Sequence, residues 1–279
     1  MFDLAALEAS LTDTIFAGKV HFSPVTDSTN SDALAAARDG APHGSVWLAD
    51  EQRAGRGRGD HGWESARGEG LYVSVLLRPQ IDAVRLRLLP LVAGLAAADA
   101  VHAVAGLEVD LRWPNDLLIA TPQTRTCLWG PRGGDRKAGG ILVESKIENG
   151  AAAFAVVGVG INVHQRNFDA GLSAAATSLD LEAGRRIGRQ VLLVCLLKSL
   201  EREAMGLLDA AAMQKISKRV EEASSWVRGR RVHVHGPQTC TGVTEGLDGN
   251  GFLLVRTDAG IVTVQTGGIR ATEDLRGQG

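Results

Sequence analysis

The feature that most limits how this chain can fold is a segment rich in glycine and arginine at residues 52–63. It contains four glycines and three arginines. Apolar stretches at 46–49 and 71–77 flank it, and each is typical of a short buried strand. The glycine-rich loops of P-loop and Rossmann folds lead into a helix instead. The sequence therefore predicts a loop that joins two strands, which is typical of neither fold.

The chemistry of this segment indicates an anionic ligand. Glycine lets backbone N–H groups approach a ligand closely, and arginine adds a permanent charge on a planar fork that matches carboxylate or phosphate. Taken alone, the segment is interpreted equally well as a solvated basic turn. Single-stranded nucleic acid would need aromatic residues between the arginines, and only Trp63 is near. Because glycine loses much entropy on ordering, we expect the segment to be mobile without ligand.

Composition argues against several classes of protein. A net charge of −2 over 279 residues argues against a chain built to coat nucleic acid. Cys127, Cys195 and Cys240 are scattered and form no C-x-x-C pair, which suits a reducing cytosol and offers no zinc site. No apolar run reaches the roughly 18 residues of a membrane span, and no signal peptide is indicated. We expect a cytoplasmic globular protein without a membrane segment.

Hydrophobic periodicity predicts an α+β chain that ends in an all-β unit. Helical spacing occurs at 4–11, 31–38, 86–105 and 186–205, with shorter helical turns to about 225. Pro90 is tolerable only in the first turn of its helix, and Gly106 fits a C-terminal stop. Short strands separated by glycine turns then predict a small β-barrel. We therefore predict two domains, 1–225 and 226–279.

Several polar residues have both a structural and a functional interpretation. Ser28, Thr29 and Asn30 precede an alanine-rich helix, but three small polar side chains exceed what capping needs. Asp116 follows a predicted strand, where a turn role is the simpler interpretation and catalysis or cation binding the alternative. Lys137 precedes two glycines and a strand, and it is either a solvated lysine or a cation at the wall of a site.

Two weaker patterns lie further along the chain. The strand at 153–162 ends in Gly-x-Gly, but the third glycine and the helix of a nucleotide fingerprint are missing. Backbone of this kind suits close packing against a flat ligand. His233 and His235 share a strand face, and without a third ligand we interpret them as ordinary strand residues.

Together these runs resemble the biotin protein ligase family. Five motifs carry the resemblance, in the family's order: 27–30, Gln52 with 54–58, 112–116, 137–144 and 158–162. The C-terminal strands are similar to the family's SH3-like domain. Each motif alone is weak, whereas five in order are specific. About 25 residues precede Asp27, too few for an N-terminal DNA-binding domain, so the short form of the family is expected.

The resemblance implies a fold and a reaction. The fold is a mixed β-sheet with helices on one face, related to class II tRNA synthetases, followed by the SH3-like barrel. The biotin carboxylate attacks the α-phosphate of ATP, whose phosphates Mg²⁺ bridges, to give biotinyl-5′-AMP and pyrophosphate. A lysine of a biotin carboxyl carrier protein or domain, in acetyl-CoA carboxylase or a related carboxylase, then attacks this anhydride. Such chemistry depends on positioning and charge stabilisation.

The resemblance also implies the site residues. Biotin would be bound by Ser28, Thr29, Asn30, Gln52, Arg56, Gly57, Arg58 and Lys137. ATP or the adenylate would contact Arg58, Trp63, Asn115 and Asn162. The expected catalytic residues are Arg56, Arg58, Lys137 and Asp116, the last as an acid near the incoming lysine. No metal ion held by the protein itself is expected.

Three features depart from the family's pattern. Asp60 and His61 stand where the family loop usually continues with Gly and Arg, so it is open whether His61 replaces that charge. Arg112 stands where a lysine is usual, which keeps the charge and changes its geometry. The segment from 120 to 136 is longer than usual.

Two other functions stay open. A lipoate or octanoate ligase shares the fold but normally lacks the arginine–glycine loop. A biotin-responsive DNA-binding repressor would need a DNA-binding domain. We expect no nucleic-acid partner, and a monomer or weak homodimer.

Overall fold

The computed structural model describes residues 2–59, 61–119, 136–168 and 175–272. Asp60, Cys127 and the predicted polar segment from 120 to 136, apart from Arg136 itself, lie outside these ranges. The helices are α1 (Leu4–Ser10), α2 (Thr29–Arg38), α3 (Ala83–Leu86), α4 (Leu89–Ala105), α5 (Leu179–Ala183), α6 (Arg189–Met205) and α7 (Ala210–Glu222). The strands are β1 (Val20–Ser23), β2 (Val46–Ala49), β3 (Gly70–Leu77), β4 (Val109–Arg112), β5 (Asp116–Ile119), β6 (Arg136–Glu148), β7 (Ala151–Asn162), β8 (Arg228–His235), β9 (Cys240–Leu247), β10 (Leu253–Thr257), β11 (Gly260–Val264) and β12 (Gly268–Ala271).

A seven-stranded mixed sheet runs in the order β1-β2-β3-β7-β6-β5-β4. β1 and β2 are parallel, whereas the other neighbouring strands are antiparallel. The glycine–arginine segment connects β2 to β3, which pair from Val46 with Val75 to Ala49 with Tyr72. The predicted α+β class and the position of this segment between two strands are confirmed.

Side-chain alternation gives the sheet two different faces. On β3, Val73 and Val75 join the main core together with α4 and α6. Leu76 points the other way and packs with Ala33 and Ala37 of α2. The expectation of helices on one face is therefore wrong for α2, whose small alanine side chains let it pack against the second face.

The helix boundaries are partly as predicted. The helix expected at 86–105 is divided into α3 and α4, and Pro90 lies in the first turn of α4, where its missing N–H needs no partner. Gly106 ends α4 in the left-handed conformation, with φ 71°. The short turns predicted after α6 are instead one regular helix, α7, which buries Ile216 and Val220. No helix in the described ranges is long and apolar enough to cross a membrane.

A five-stranded antiparallel sheet, in the order β11-β10-β9-β8-β12, forms the C-terminal part of the chain. The predicted change to short strands is confirmed, while closure into a barrel and the domain boundary at 225 stay predictions. The turn between β9 and β10 docks this sheet on the mixed sheet's helical layer. Trp113 Nε1 donates to Gly251 O at 3.1 Å. A Cβ at Gly251 would lie 2.7 Å from Leu88 and Leu91, so this close contact requires glycine.

Candidate active site

A cleft of about 480 Å³ opens on the α2 face of the mixed sheet. Its floor is formed by β3, β6 and β7, and its walls by the start of α2 and the glycine–arginine segment. Most of the residues that the sequence predicts for the site line it: Ser28, Thr29, Asn30, Gln52, Arg56, Gly57, Arg58, Trp63, Asn115 and Lys137. The fold thus brings the five motifs to one place.

The glycine–arginine segment folds back on itself as a short hairpin beside the cleft. Gly57 N–H donates to His61 O at 2.7 Å, and Trp63 N–H donates to Gly55 O at 2.8 Å. A Cβ at Gly55 would lie 2.3 Å from Trp63 O, so this pairing requires glycine. The side chain of His61 is exposed. Mobility of the hairpin without ligand stays a prediction.

One end of the cleft, here called the neutral end, is lined by Ser28, Thr29, Asn30 and Gln52 and backed by Ser74. Gln52 Oε1 accepts hydrogen bonds from N–H and Oγ1 of Thr29, at 2.9 and 3.1 Å. Ser74 Oγ lies 2.6 Å from Asn30 Oδ1 and 2.8 Å from Thr29 Oγ1. All of these residues except Gln52 are buried. A buried network of uncharged donors and acceptors is rigid and suits an uncharged polar ligand.

The position of Ser28 favours ligand binding over helix capping as the role of its side chain. Its extended backbone, with φ −160° and ψ 126°, makes it the N-cap residue of α2, but its side chain makes no capping hydrogen bond. It lines the cleft instead. The motif therefore supplies polar groups to the cavity beyond what the helix start requires.

Glycines on β6 and β7 let other groups lie directly on the floor of the cleft. A Cβ at Gly158 would lie 2.1 Å from Asn30 Oδ1. A Cβ at Gly160 would lie 2.6 Å from Trp63 Nε1, and one at Gly140 would lie 3.6 Å from the same indole. Trp63 packs on the Gly-x-Gly strand in this structure, and the packing of a flat ligand there stays a prediction.

The other end of the cleft, here called the charged end, is lined by Arg56, Arg58 and Lys137 and backed by their partners Asp116 and Glu144. Arg56 binds Glu144 through two hydrogen bonds, of 2.6 and 3.1 Å. Lys137 Nζ lies 2.6 Å from Asp116 Oδ1. Two of the three cations are thus already paired with carboxylates of the protein.

Arg58 has a different kind of partner. Its NH2 group donates to Thr266 Oγ1 at 2.8 Å, and its NH1 group donates to Gly267 O. Both acceptors lie in the turn between β11 and β12. Burial lowers the pKa of Arg58, and nearby Asp116 opposes this effect. The guanidinium stays charged, because arginine is not deprotonated in proteins.

Asp116 acts on the cleft from behind Lys137 and does not line it. Its Oδ2 accepts hydrogen bonds from Arg112 Nε and NH2, at 3.0 and 2.6 Å. Burial would raise the pKa of Asp116, but the charges and hydrogen bonds of Lys137 and Arg112 outweigh it and hold that pKa below its usual value. Asp116 is therefore ionised at neutral pH.

Of the two asparagines predicted to contact the adenylate, one lines the cleft and the other does not. Asn115 lines the cleft, and its Nδ2 donates to Ile141 O at 2.9 Å. Asn162 lies at the end of β7, is buried, and donates through Nδ2 to Thr177 O at 3.0 Å. Asn162 does not line the cleft. Its role as an adenylate contact stays a prediction.

Sequence reasoning missed Ser74, Tyr72 and Glu144. Ser74 stands between valines in an apolar strand, and this lone polar residue was the available signal. Tyr72 lines the cleft and donates to Ala66 O at 3.0 Å, and burial raises its pKa, so the hydroxyl stays neutral. Glu144 lies in a motif used for the resemblance and binds two residues that line the cleft, Asn30 and Arg56. Its two-residue spacing from Leu142, which lines the cleft, was the available signal.

The chain matches two family models. One, described as the Biotin/lipoate A/B protein ligase family, covers residues 22–162, and the other, the Biotin protein ligase C terminal domain, covers 228–269. The Biotin--[acetyl-CoA-carboxylase] ligase of Mycobacterium tuberculosis is 34% identical over 252 residues, covering 88% of this chain and 85% of that protein. The Bifunctional ligase/repressor BirA of Bacillus subtilis is 31% identical over 248 residues, covering 88% of this chain and 71% of that protein.

A solved structure has a similar fold over nearly the whole chain. The biotin protein ligase from Aquifex aeolicus in complex with biotin and ATP matches with a TM-score of 0.73 and 26% identity, over 91% of this chain and 98% of that one. The mixed sheet and its two-ended cleft define a ligase of the biotin/lipoate class. With the additional C-terminal domain and the relatives above, the chain belongs to the biotin protein ligase family.

Proposed function

We propose that this protein activates biotin as biotinyl-5′-AMP and transfers it to a lysine of a biotin carboxyl carrier protein or domain. A carboxylate oxygen of biotin attacks the α-phosphorus of ATP, the bond to the β-phosphate breaks, and pyrophosphate leaves. The acceptor amine then attacks the acyl carbon and loses a proton, and AMP leaves. Family membership and the names of the relatives support this reaction.

The observation that carries the proposal is that one cleft joins a buried uncharged network to a group of cations. Biotin has a neutral, polar ring system at one end and a carboxylate at the other. The neutral end of the cleft offers donors and acceptors to the rings. The charged end offers cations to the carboxylate and to the phosphates of ATP.

Arg56 and Arg58 are assigned to phosphate oxygens, and Lys137 to the biotin carboxylate and then to the adenylate. A guanidinium fork matches phosphate, while lysine acts as a point charge. Asp116, held ionised by its neighbours, orients Lys137 and is a poor proton acceptor for the incoming lysine. Charges that are fixed before the reaction stabilise the developing negative charge without reorganisation.

Trp63 and Asn115 are assigned to the adenylate. The indole lies on the glycine floor, and Lys137 Nζ lies 5.5 Å from the ring centroid. Trp63 Nε1 is buried and has no hydrogen-bond partner among the described residues. An unpaired buried donor is costly, so a ligand acceptor at this position would gain affinity.

Mg²⁺ belongs to the ATP substrate in this proposal. Asp116 and Glu144, the carboxylates of the charged end, are each paired with a cation. Within the described ranges, no group of three or more His, Cys, Asp or Glu side chains could hold a metal ion. Mg²⁺ binds phosphate oxygens and completes its shell with water, so it would arrive as Mg·ATP.

Pyrophosphate release, measured separately with biotin, lipoate and octanoate, tests the proposal. We expect release with biotin and ATP and little with the other acids, because they lack the polar rings that the donors and acceptors of the neutral end would bind. Faster release with lipoate or octanoate would support the alternative ligase and contradict this assignment.

We further propose that the acceptor belongs to acetyl-CoA carboxylase or a related carboxylase, in keeping with the names of two relatives. We also propose a cytoplasmic monomer or weak homodimer and, from the net charge of −2, no nucleic-acid partner. Because some relatives are named ligase/repressors, a gel-shift with the gene's own upstream DNA tests the last point. A specific complex that survives about 200 mM salt would contradict it.

A further inference from the structure

The charged end of the cleft includes a contact with the C-terminal sheet. Arg58, on the hairpin, donates to Thr266 Oγ1 at 2.8 Å and to Gly267 O. Both acceptors belong to the β11–β12 turn, which has no role in the reaction proposed for the cleft.

Two glycines in contact hold this turn in place: Gly267 in the turn itself, and Gly236, which follows β8. Gly236 and Gly267 have φ of 123° and 132°, which side-chain-bearing residues rarely adopt. A Cβ at Gly236 would lie 3.0 Å from Gly267 Cα, and one at Gly267 would lie 2.6 Å from His235 O. The two backbones therefore pack directly on each other, and this packing fixes the position of the Gly267 carbonyl.

The sheet that carries the turn is anchored elsewhere. Besides the contact of Trp113 with the β9–β10 turn, Ser217 Oγ donates to Asp248 O at 2.8 Å. Leu247 N–H donates to Glu221 Oε1 at 2.8 Å. Because the sheet is anchored by these bonds, the β11–β12 turn constrains the arginine more than the arginine constrains the turn.

The contact orients Arg58 without neutralising it. Arg56 and Lys137 are paired with Glu144 and Asp116, whereas Arg58 has no ion-pair partner among the described residues. A guanidinium carries five N–H donors, and the turn occupies two of its nitrogen atoms. Donors thus remain for an anion in the cleft. A side chain already held in place also loses less entropy when a ligand binds.

We propose that Thr266 is a positioning residue for Arg58, and that the β11–β12 turn thereby makes the C-terminal sheet part of the site that retains the adenylate. This inference rests on the function proposed above. Thr266 acts through Arg58, whose guanidinium it holds beside the cleft, so that phosphate oxygens meet an oriented fork.

Thr266→Val tests the inference, because it removes the acceptor and keeps the shape. We expect adenylation to slow and biotinyl-AMP to leak into solution, each by roughly 3- to 10-fold, as for the loss of one partly exposed hydrogen bond. Thr266→Ser keeps the hydroxyl, so its adenylation rate and its leakage of biotinyl-AMP should equal those of the wild type. Thr263→Val is the matched control, because Thr263 is exposed on β11 and makes no side-chain hydrogen bond to a described residue.

Arg58→Ala provides the second arm of the test. We expect Arg58→Ala to leak biotinyl-AMP, because it removes the guanidinium assigned to the phosphate. Because Thr266 acts through Arg58, Thr266→Val should add nothing in that background. Equal fold losses with and without Arg58 would overturn the proposal, because Thr266 would then act by another route.

Tryptic cleavage of the Arg58–Gly59 bond in the ligand-free protein gives a readout that needs no catalysis. We expect Thr266→Val to speed this cleavage several-fold at an unchanged melting temperature, and Thr263→Val to leave both unchanged. If the proposed function is wrong, the wild type will form no biotinyl-AMP and the difference in cleavage will persist. If the wild type forms it and Thr266→Val matches the wild type in leakage and cleavage, the inference is overturned.

Discussion

The neutral and charged ends of the cleft differ in how their polar groups are satisfied before a ligand arrives. At the neutral end, uncharged groups such as Thr29 and Gln52 bond to each other. At the charged end, Arg56 and Lys137 are held by carboxylates of the protein. Arg56 and Lys137 thus have anionic partners, whereas the uncharged network needs only complementary donors and acceptors. The neutral end therefore selects a ligand by the positions of its donors and acceptors. At the charged end, a carboxylate or phosphate of the ligand replaces a carboxylate of the protein as the partner of the cation.

Glu144 connects the two ends. Its Oε2 accepts from Asn30 Nδ2 at 3.0 Å and from Arg56 at 2.6 Å. A phosphate that draws Arg56 away from Glu144 also changes the surroundings of Asn30. Biotin and ATP are therefore expected to influence each other's binding through this carboxylate.

The largest effect on the charged end is expected at Asp116, where two cations share one buried carboxylate. Asp116→Asn leaves Arg112 and Lys137 without a countercharge, and removing one member of a buried ion pair costs about 3–5 kcal/mol of unfolding free energy. Because the folded pKa of Asp116 is lowered, its contribution is full at neutral pH. The contribution is lost as pH falls from about 3.9 through the lowered value. Urea unfolding should show a constant difference at pH 5–7.

That difference should shrink below about pH 4. Glu222→Gln is the control, because its carboxylate is exposed and lies 3.8 Å from Lys218. It should change the unfolding free energy by less than about 0.5 kcal/mol at any pH. An Asp116→Asn cost that remained undiminished in strong acid would contradict the ion-pair account.

Lys137→Gln should weaken biotin binding and slow adenylation by roughly 10- to 150-fold, as for the loss of a charge-assisted hydrogen bond. Calorimetry and single-turnover kinetics measure the two effects. Lys146→Gln, on the exposed end of the same strand, is the matched control and should bind biotin like the wild type. Near-wild-type binding and rate for Lys137→Gln would make Lys137 a solvated lysine without a role.

At the neutral end, Gly158→Ala places a methyl group 2.1 Å from Asn30 Oδ1. Overpacking of this kind costs about 1–3 kcal/mol, so biotin affinity should fall by roughly 5- to 150-fold. Gly249→Ala, where an added Cβ meets nothing within 4 Å, should leave affinity unchanged. Equal biotin affinities in the two variants would show that the position of Asn30 does not matter.

The smallest effect is expected for Ser74→Ala, which removes one neutral hydroxyl. A hydrogen bond of this kind contributes about 0.5–1.5 kcal/mol, so biotin affinity should fall by roughly 2- to 13-fold with ATP affinity unchanged. Ser10→Ala, an exposed serine of α1, is the control. If Ser74→Ala weakened ATP as much as biotin, the two ends would not be separate.

The sequence predicts the neutral end better than the charged end. Residues 28–30 and Gln52 lie in motifs of the resemblance, and the structure brings them together. The sequence does not predict that Arg56 is paired with Glu144 or that Arg58 is bound to Thr266, because these partners lie far apart in the chain and carry no local pattern. Charged side chains are long, and the fold decides which of several partners they reach.

The fold shows the same limit. The strands were predictable because β-branched residues and glycine turns mark them. The face of the sheet on which α2 packs was not predictable. β3 is apolar on both faces, so its sequence does not show the alternation of polar and apolar residues that would distinguish them. Ser74 breaks that apolar pattern, and it lies behind Thr29 and Asn30 on the face where α2 packs.

Biotin compared with its methyl ester, titrated into wild type, Lys137→Gln and Gly158→Ala, tests the division of the cleft most directly. The ester keeps the rings and removes the carboxylate charge. We expect Lys137→Gln to weaken biotin by roughly 10- to 150-fold and leave the ester nearly unchanged, whereas Gly158→Ala weakens both ligands by the same factor. Equal losses for biotin and its ester in Lys137→Gln would contradict a charged end that binds the carboxylate.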